Sequence, residues 1–164
     1  MADNGFDAFY AAQFRRLTSQ LCAYLGDLAE AQDVVQEAFT RAWPRWETIS
    51  QYDDPAGWVR RVAWNLATSR WRRLRAAATF AAQHRPQVVP DLSPDWVDIS
   101  NALATLSPHH RRAVVLHYLA GLSVAEIALE CQVAQNTVKS WLYRGRAALS
   151  GLLGVSEEVT DAIP

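Results

Sequence analysis

A chain of 164 residues admits one ordinary domain or two small ones, and with half of its residues hydrophobic it can build a packed core, which excludes global disorder. The formal charge of −1 conceals a sorted distribution: residues 1–54 carry nine acids against four bases, residues 55–75 six arginines and no acid, residues 107–150 a net +3 and residues 151–164 a net −3. Two separate basic blocks point to two contacts with a polyanion, and the acidic block to a basic protein partner.

Cys22 and Cys131 stand far apart with no CxxC or Cys/His ligand spacing, so both read as buried free thiols of a reducing compartment. The start, MADNGFDAFY, lacks a basic n-region and an apolar h-region, and no apolar run approaches a membrane span. The expectation is a cytoplasmic protein without membrane insertion.

Helix signals follow in chain order. Asp27 with Glu30 caps LAEAQDVVQEAFTRAW, which Pro44 should end. Asp54-Pro55, an N-cap with proline at the first helical position, opens AGWVRRVAWNLATSRWRRLRA. Residues 76–96, with Pro86, Pro90 and Pro94 and little periodicity, read as a flexible linker whose twenty or so residues reach roughly 60–70 Å when extended. Ser107-Pro108 repeats the cap-plus-proline device before HHRRAVVLHYLA, Ser123 and Glu126 form a capping box, and a last helix runs from Gln135 to about Leu149. No segment alternates with a two-residue period, so the fold class is all-α: two small helical domains joined by a linker.

In the helix over 28–43, Leu28, Ala31, Val35, Ala38 and Ala42 form an apolar stripe, leaving Asp33, Gln36, Glu37 and Thr40 on an acidic and polar face. In the next helix Val59, Val62, Ala63 and Leu66 make a core stripe, while Trp58, Arg61, Asn65, Thr68 and Arg72 share a sector about 80° wide on an ideal helix. Arg70, Arg73 and Arg75 add charge nearby. Tryptophans are often core residues and arginines a solvated face, which is the reading for Trp64. For the aligned set, cations for phosphates, an aromatic for stacking and an amide for an unstacked base match what single-stranded DNA requires.

Residues 123–149 have the layout of a helix-turn-helix, a short capped helix followed by a turn and a longer basic helix. Val138, Trp141, Leu142, Gly145 and Leu149 project to one side; Asn136, Lys139, Ser140 and Tyr143 project to the other, flanked by Arg144 and Arg146. Any amphipathic helix has such faces, but the capping box and the preceding basic His109–Arg112 turn favour DNA. There is no P-loop, GxSxG, HExxH or metal-ligand cluster, so neither an enzyme, a cofactor nor a metal is expected. His109, His110, His117 and Cys131 have nonstandard spacing for zinc, and histidines beside arginines on a DNA-facing helix are the preferred account.

LSPHHRRAVVLHYLAGLSVAEIA together with NTVKSWLYRGRAAL resembles the promoter-binding region four of extracytoplasmic-function sigma factors, AEAQDVVQEAFTRAW resembles their region two, and PAGWVRRVAWNLATSRWRR resembles their downstream-element reader, with Asn65 in a W-x-x-x-x-A-x-N pattern. The resemblance implies a region two over 6–75, the linker over 76–96, a region four over 97–153 and an acidic tail over 154–164, the minimal two-domain form. It implies that Asp33, Gln36, Glu37 and Thr40 dock on the clamp helices of the largest polymerase subunit, while the flap of the second-largest subunit is a further partner. Trp58, Arg61, Asn65, Thr68 and Arg72 would grip the −10 element, with a flipped base read near residues 47–65. Arg112, Asn136, Thr137, Lys139, Ser140, Tyr143, Arg144 and Arg146 would bind the −35 element, Arg112 and Arg146 near phosphates. The implied partners are core RNA polymerase, promoter DNA and an anti-sigma factor. Melting needs no catalytic residue, since unstacking costs a few kcal/mol per step and captured bases offset it. The alternative is a stand-alone helix-turn-helix regulator, which leaves the charge pattern of the first half unexplained.

The chain departs from the family in the turn, where Gln132 and Ala134 replace a usual glycine and a serine cap; the missing cap costs on the order of 1 kcal/mol. Asn136, which tolerates left-handed geometry, stands where a glycine is usual before Thr137.

Overall fold

The computed structural model describes residues 4–80 and 94–154, divided into two compact units, one on each side of Asp91/Leu92. Among the described residues every regular element is helical.

The first unit begins with α1 (Phe6–Leu25) and α2 (Leu28–Ala42). Two residues make the corner between them. Gly26 takes a left-handed φ of 74° and returns its N–H to the Cys22 carbonyl, and Asp27 then accepts the Glu30 N–H at 3.0 Å as the cap of α2. Pro44 does not end helicity outright. It sits in a 3₁₀ turn, Trp43–Arg45, where its missing N–H is harmless, and a short α3 (Trp46–Ile49) follows. Asp54 caps α4 (Pro55–Phe80) by accepting the Gly57 N–H at 2.8 Å, as its position before proline predicts.

The core of this unit lies where α2 packs between α1 and α4. Ala31, Val34, Val35, Ala38, Phe39 and Ala42 of α2 are buried, as are Leu17, Leu21 and Tyr24 of α1 and Val59, Ala63, Trp64 and Ala67 of α4. Trp64 meets Tyr24 edge to face at 4.9 Å, so its ring is core as expected. The buried face of α4 turns further towards Trp64 and Ala67 than the apolar stripe implies, leaving Val62 and Leu66 half-buried. Phe9, Tyr10 and Phe14 of α1 gather around Phe39, and Phe6 joins Trp43 and Trp46. Phe39, four residues after Val35 and three before Ala42, lies at the edge of the α2 apolar stripe.

Helix α4 continues five residues past the expected boundary at 75, and α5 (Pro94–Ala104) starts inside the segment read as a linker. The alanines at 76–78 favour helix, and Pro94 suits a first helical turn. The remaining linker positions, 81–93, and the acidic tail beyond 154 lie outside the described residues.

In the second unit α6 (Pro108–Val114) widens into a π turn, Val115–Leu119, before α7 (Val124–Cys131) and α8 (Gln135–Leu153). Ser107 precedes the helix as expected but makes no side-chain cap bond. The Ser123–Glu126 capping box is complete, with its two bonds at 3.1 and 2.7 Å. Gly145 brings α8 close to α6, because a Cβ at that position would stand 2.7 Å from a methyl of Val114.

The turn between α7 and α8 is a Schellman corner closed by Val133 N–H to the Ala128 carbonyl at 3.0 Å. Its left-handed residue is Gln132, φ 57°, the only non-glycine among the described residues with positive φ. Asn136 is helical inside α8 and takes no left-handed geometry. Ala134, at the N-cap, has no side chain with which to cap.

Gln132→Gly and Ala134→Ser should therefore each stabilise the chain by about 1 kcal/mol, read as a rise in Tm. Gly145→Ala should lower Tm, by about 1–3 kcal/mol of stability, since Val114 is buried and branched at Cβ.

Candidate nucleic-acid and polymerase interfaces

On α2, burial of the opposite face leaves Asp33, Gln36 and Thr40 exposed and Glu37 half-exposed. Gln36 accepts the Tyr10 hydroxyl at 2.9 Å, Thr40 donates to the Gln36 carbonyl at 2.8 Å, and Glu37 pairs with Arg41 one turn on. Asp33 and Glu37 are one turn apart, so both carboxylates stand on one helix face. Such a face attracts a cationic surface.

On α4, Arg61, Asn65 and Arg72 are exposed, with Trp58 and Thr68 half-buried along the same sector. Thr68 donates its hydroxyl to the Trp64 carbonyl at 2.9 Å, and Arg61 reaches the Gly57 carbonyl at 3.4 Å. Residues 72–77 are exposed on every side, and Arg75 lies 5.1 Å over the Trp71 ring. Arg70 differs from its neighbours: its guanidinium is bound to Glu30 of α2, with both side chains about three-quarters covered. Arg70 is thus a brace between helices, and Arg60, half-buried, stands 3.8 Å from the Asp54 carboxylate.

On α8, Val138, Leu142 and Gly145 are buried and Trp141 and Leu149 half-buried, while Asn136, Lys139, Ser140, Tyr143 and Arg144 are exposed. Thr137 and Arg146 are half-buried, and Arg146 donates to the Tyr118 hydroxyl at 3.3 Å. The separation of faces is the one that the helical period sets.

The basic turn before it is less uniform than its composition implies. Arg111 is only 6% exposed and donates to the carbonyls of Ala104 and Leu106 at 3.0 Å each, tying down the end of α5. Arg112 is half-buried. His109 stacks on Trp141 at 5.0 Å, and burial, followed by Arg144 and His109, holds the His110 imidazole below its ordinary range. His117 bonds the Leu122 carbonyl through Nδ1 at 2.8 Å. His109 thus remains exposed with its ring against Trp141, while His110 and His117 are half-buried.

Among the described residues no group of His, Cys, Asp or Glu could hold a metal ion, and no helix is long and apolar enough to cross a membrane. Both cysteines are free thiols, Cys22 buried and Cys131 half-buried. Burial raises the pKa of each, reinforced at Cys22 by Asp27 and opposed at Cys131 by Arg112.

A family model described as sigma-70 region 2 matches residues 9–77, and one described as sigma-70, region 4 matches residues 96–149. The ECF RNA polymerase sigma factor SigL of Mycobacterium tuberculosis is 34% identical over 89% of this chain and 92% of its own length. The chain belongs to the ECF sigma factors. SigW of Bacillus subtilis, also an ECF RNA polymerase sigma factor, is 32% identical over 79% of each chain. Among solved structures, the sigma factor RpoE from Bartonella quintana, crystallised with the anti-sigma factor NepR, superposes with a TM-score of 0.78 at 25% identity, covering 93% of this sigma factor and 98% of that chain. A stand-alone helix-turn-helix regulator would account for the region 4 match alone, and the region 2 match disfavours it.

Sequence reasoning did not single out Glu30, Arg111 or Tyr118. Glu30 was read only as part of a helix start, and the carbonyls that hold Arg111 come from a helix with no signal of its own. The division among the arginines has a measurable consequence. Arg70→Ala should lower stability by about 1 kcal/mol, whereas Arg72→Ala should leave the denaturation midpoint within about 0.5 kcal/mol of wild type, both read from urea unfolding.

Proposed function

We propose that this sigma factor binds core RNA polymerase, directs it to promoters by reading −35 and −10 elements, and assists promoter melting as a binding protein without catalytic residues. The observation that carries the reading is the order of the two family matches, each over a helical unit that displays a separate polar or cationic helix face.

In this reading residues 6–75 and 97–153 are the two working domains. Asp33, Gln36, Glu37 and Thr40 of α2 dock on the basic clamp helices of the largest polymerase subunit, and charge steers the encounter. The flap of the second-largest subunit is a further contact. Trp58, Arg61, Asn65, Thr68 and Arg72 of α4 hold the −10 element, cations against phosphates and the indole and amide against unstacked bases. Support comes from their alignment on one sector of α4, with Arg61 and Asn65 exposed. Asn136, Thr137, Lys139, Ser140, Tyr143 and Arg144 meet base edges or the groove wall at the −35 element, and Arg112 and Arg146 lie near phosphates. Arg112, being half-buried, presents less of its guanidinium than the residues of α8. An anti-sigma factor fits as regulator, since the RpoE structure from Bartonella quintana contains one.

The test is runoff transcription: core polymerase plus purified chain should initiate at a cognate promoter with no other sigma present. DNA binding by the free chain with no association with core would refute the reading. Arg61→Ala and Lys139→Ala should each depress promoter-dependent transcription about tenfold, as for loss of one good base or phosphate contact, with core binding retained. Asp33→Ala and Glu37→Ala should instead weaken core binding in a pull-down or anisotropy titration, more so at low salt.

A further inference from the structure

Tyr118 is the least expected side chain on the helix-turn-helix unit. It is 53% exposed, it lies in the π turn Val115–Leu119, and its hydroxyl accepts a hydrogen bond from Arg146 of α8 at 3.3 Å. The π turn is closed by Ala120 N–H to the Val115 carbonyl at 3.1 Å, a five-residue span that inserts one residue into the helical progression and changes where the next side chains point. The turn is held in place at the adjacent residue, where His117 bonds the Leu122 carbonyl at 2.8 Å and its ring meets Tyr118 edge to face at 4.8 Å. An aromatic ring is thereby presented to solvent by a turn that is itself anchored.

The position of Arg146 shows what the pair faces. Seven residues after Lys139, Arg146 lies about 20° from it around α8 and about 10 Å further along. The major groove is roughly 12 Å wide. If the first turns of α8 meet base edges, a cation two turns on and on the same face meets the groove wall, which is phosphate. The Tyr118 hydroxyl, having accepted from Arg146, keeps its own O–H to donate. Guanidinium and phenol together form a two-donor seat for one phosphate oxygen pair, and the phenol also fixes the direction of an otherwise flexible arginine.

We propose that Tyr118 is a DNA-contacting residue that forms, with Arg146, a sequence-independent phosphate seat at the edge of the −35 duplex. The proposal rests on the reading of α8 as the duplex-reading helix.

The test uses holoenzyme reconstituted with core polymerase and two labelled duplexes, one selected from a random pool by the holoenzyme and one with the same bases scrambled. Tyr118→Phe keeps the ring and should keep the Tm. It should weaken binding about three- to tenfold on both duplexes alike, leaving their affinity ratio unchanged. Arg146→Ala should reduce the slope of log affinity against log salt by about one. In the Arg146→Ala background, Tyr118→Phe should cost clearly less than it does alone. Wild-type affinity for Tyr118→Phe, an undiminished loss in the double variant, or a loss of core association in place of DNA binding would each overturn the proposal. Lys139→Ala separates the two levels. If it weakens the selected duplex while Tyr118→Phe does not, the phosphate seat alone falls; if neither weakens it, the reading of α8 falls too.

Discussion

Close packing through small residues sets the direction of every exposed side chain that matters in this protein. Ala31, Ala38 and Ala42 of α2 and Ala63 and Ala67 of α4 are fully buried, and in the second unit Ala113 and Ala128 are buried while Gly145 brings α8 against α6. A small residue contributes little apolar area by itself, but it lets backbones approach, so that the larger Val34, Val35, Phe39, Trp64, Val114 and Leu142 interdigitate at core density. A helix seated this way has little freedom to rotate about its axis. Its outward face, whether the Asp33–Glu37 pair on α2 or the Lys139–Tyr143 set on α8, points where the buried face dictates.

The arginines show the same dependence at the level of single groups. Arg70 and Arg111 are turned inward, one against the Glu30 carboxylate and the other against two carbonyls at the end of α5. An inward guanidinium needs acceptors for its donors, and Glu30 supplies them to Arg70 while two carbonyls supply them to one terminal nitrogen of Arg111. Arg61, whose Nε reaches only the Gly57 carbonyl of its own helix at 3.4 Å, and Arg72 and Arg144 remain exposed and keep their charge available to a polyanion. The basic blocks therefore contain two populations with different tasks, and the net charge of each block overstates what it offers to DNA.

The turn of the helix-turn-helix works without its usual residues because hydrogen bonding and packing outweigh a local penalty. Gln132 in left-handed geometry and Ala134 without a capping group each cost on the order of 1 kcal/mol. The Schellman bonds and the burial of Ile127, Val138 and Leu142 on either side hold the corner despite them. The left-handed position fell on Gln132 rather than Asn136 because the former ends α7 and the latter already lies within α8.

Much of this was legible in the chain itself. The two helical modules, the Asp27 and Asp54 caps, the Ser123–Glu126 box and the exposed sets on α2, α4 and α8 follow from spacing within single helices, a local property that the period of 3.6 residues reports directly. What required the tertiary structure was every feature whose partner comes from another element: Glu30 claiming Arg70, the end of α5 claiming Arg111, Trp141 claiming His109, the aromatic gathering around Phe39, and the π turn that sets Tyr118 beside Arg146. A side chain's face and its capping bonds are fixed by its own helix, but a partner on another element is fixed only when two elements meet, and that meeting is decided by packing.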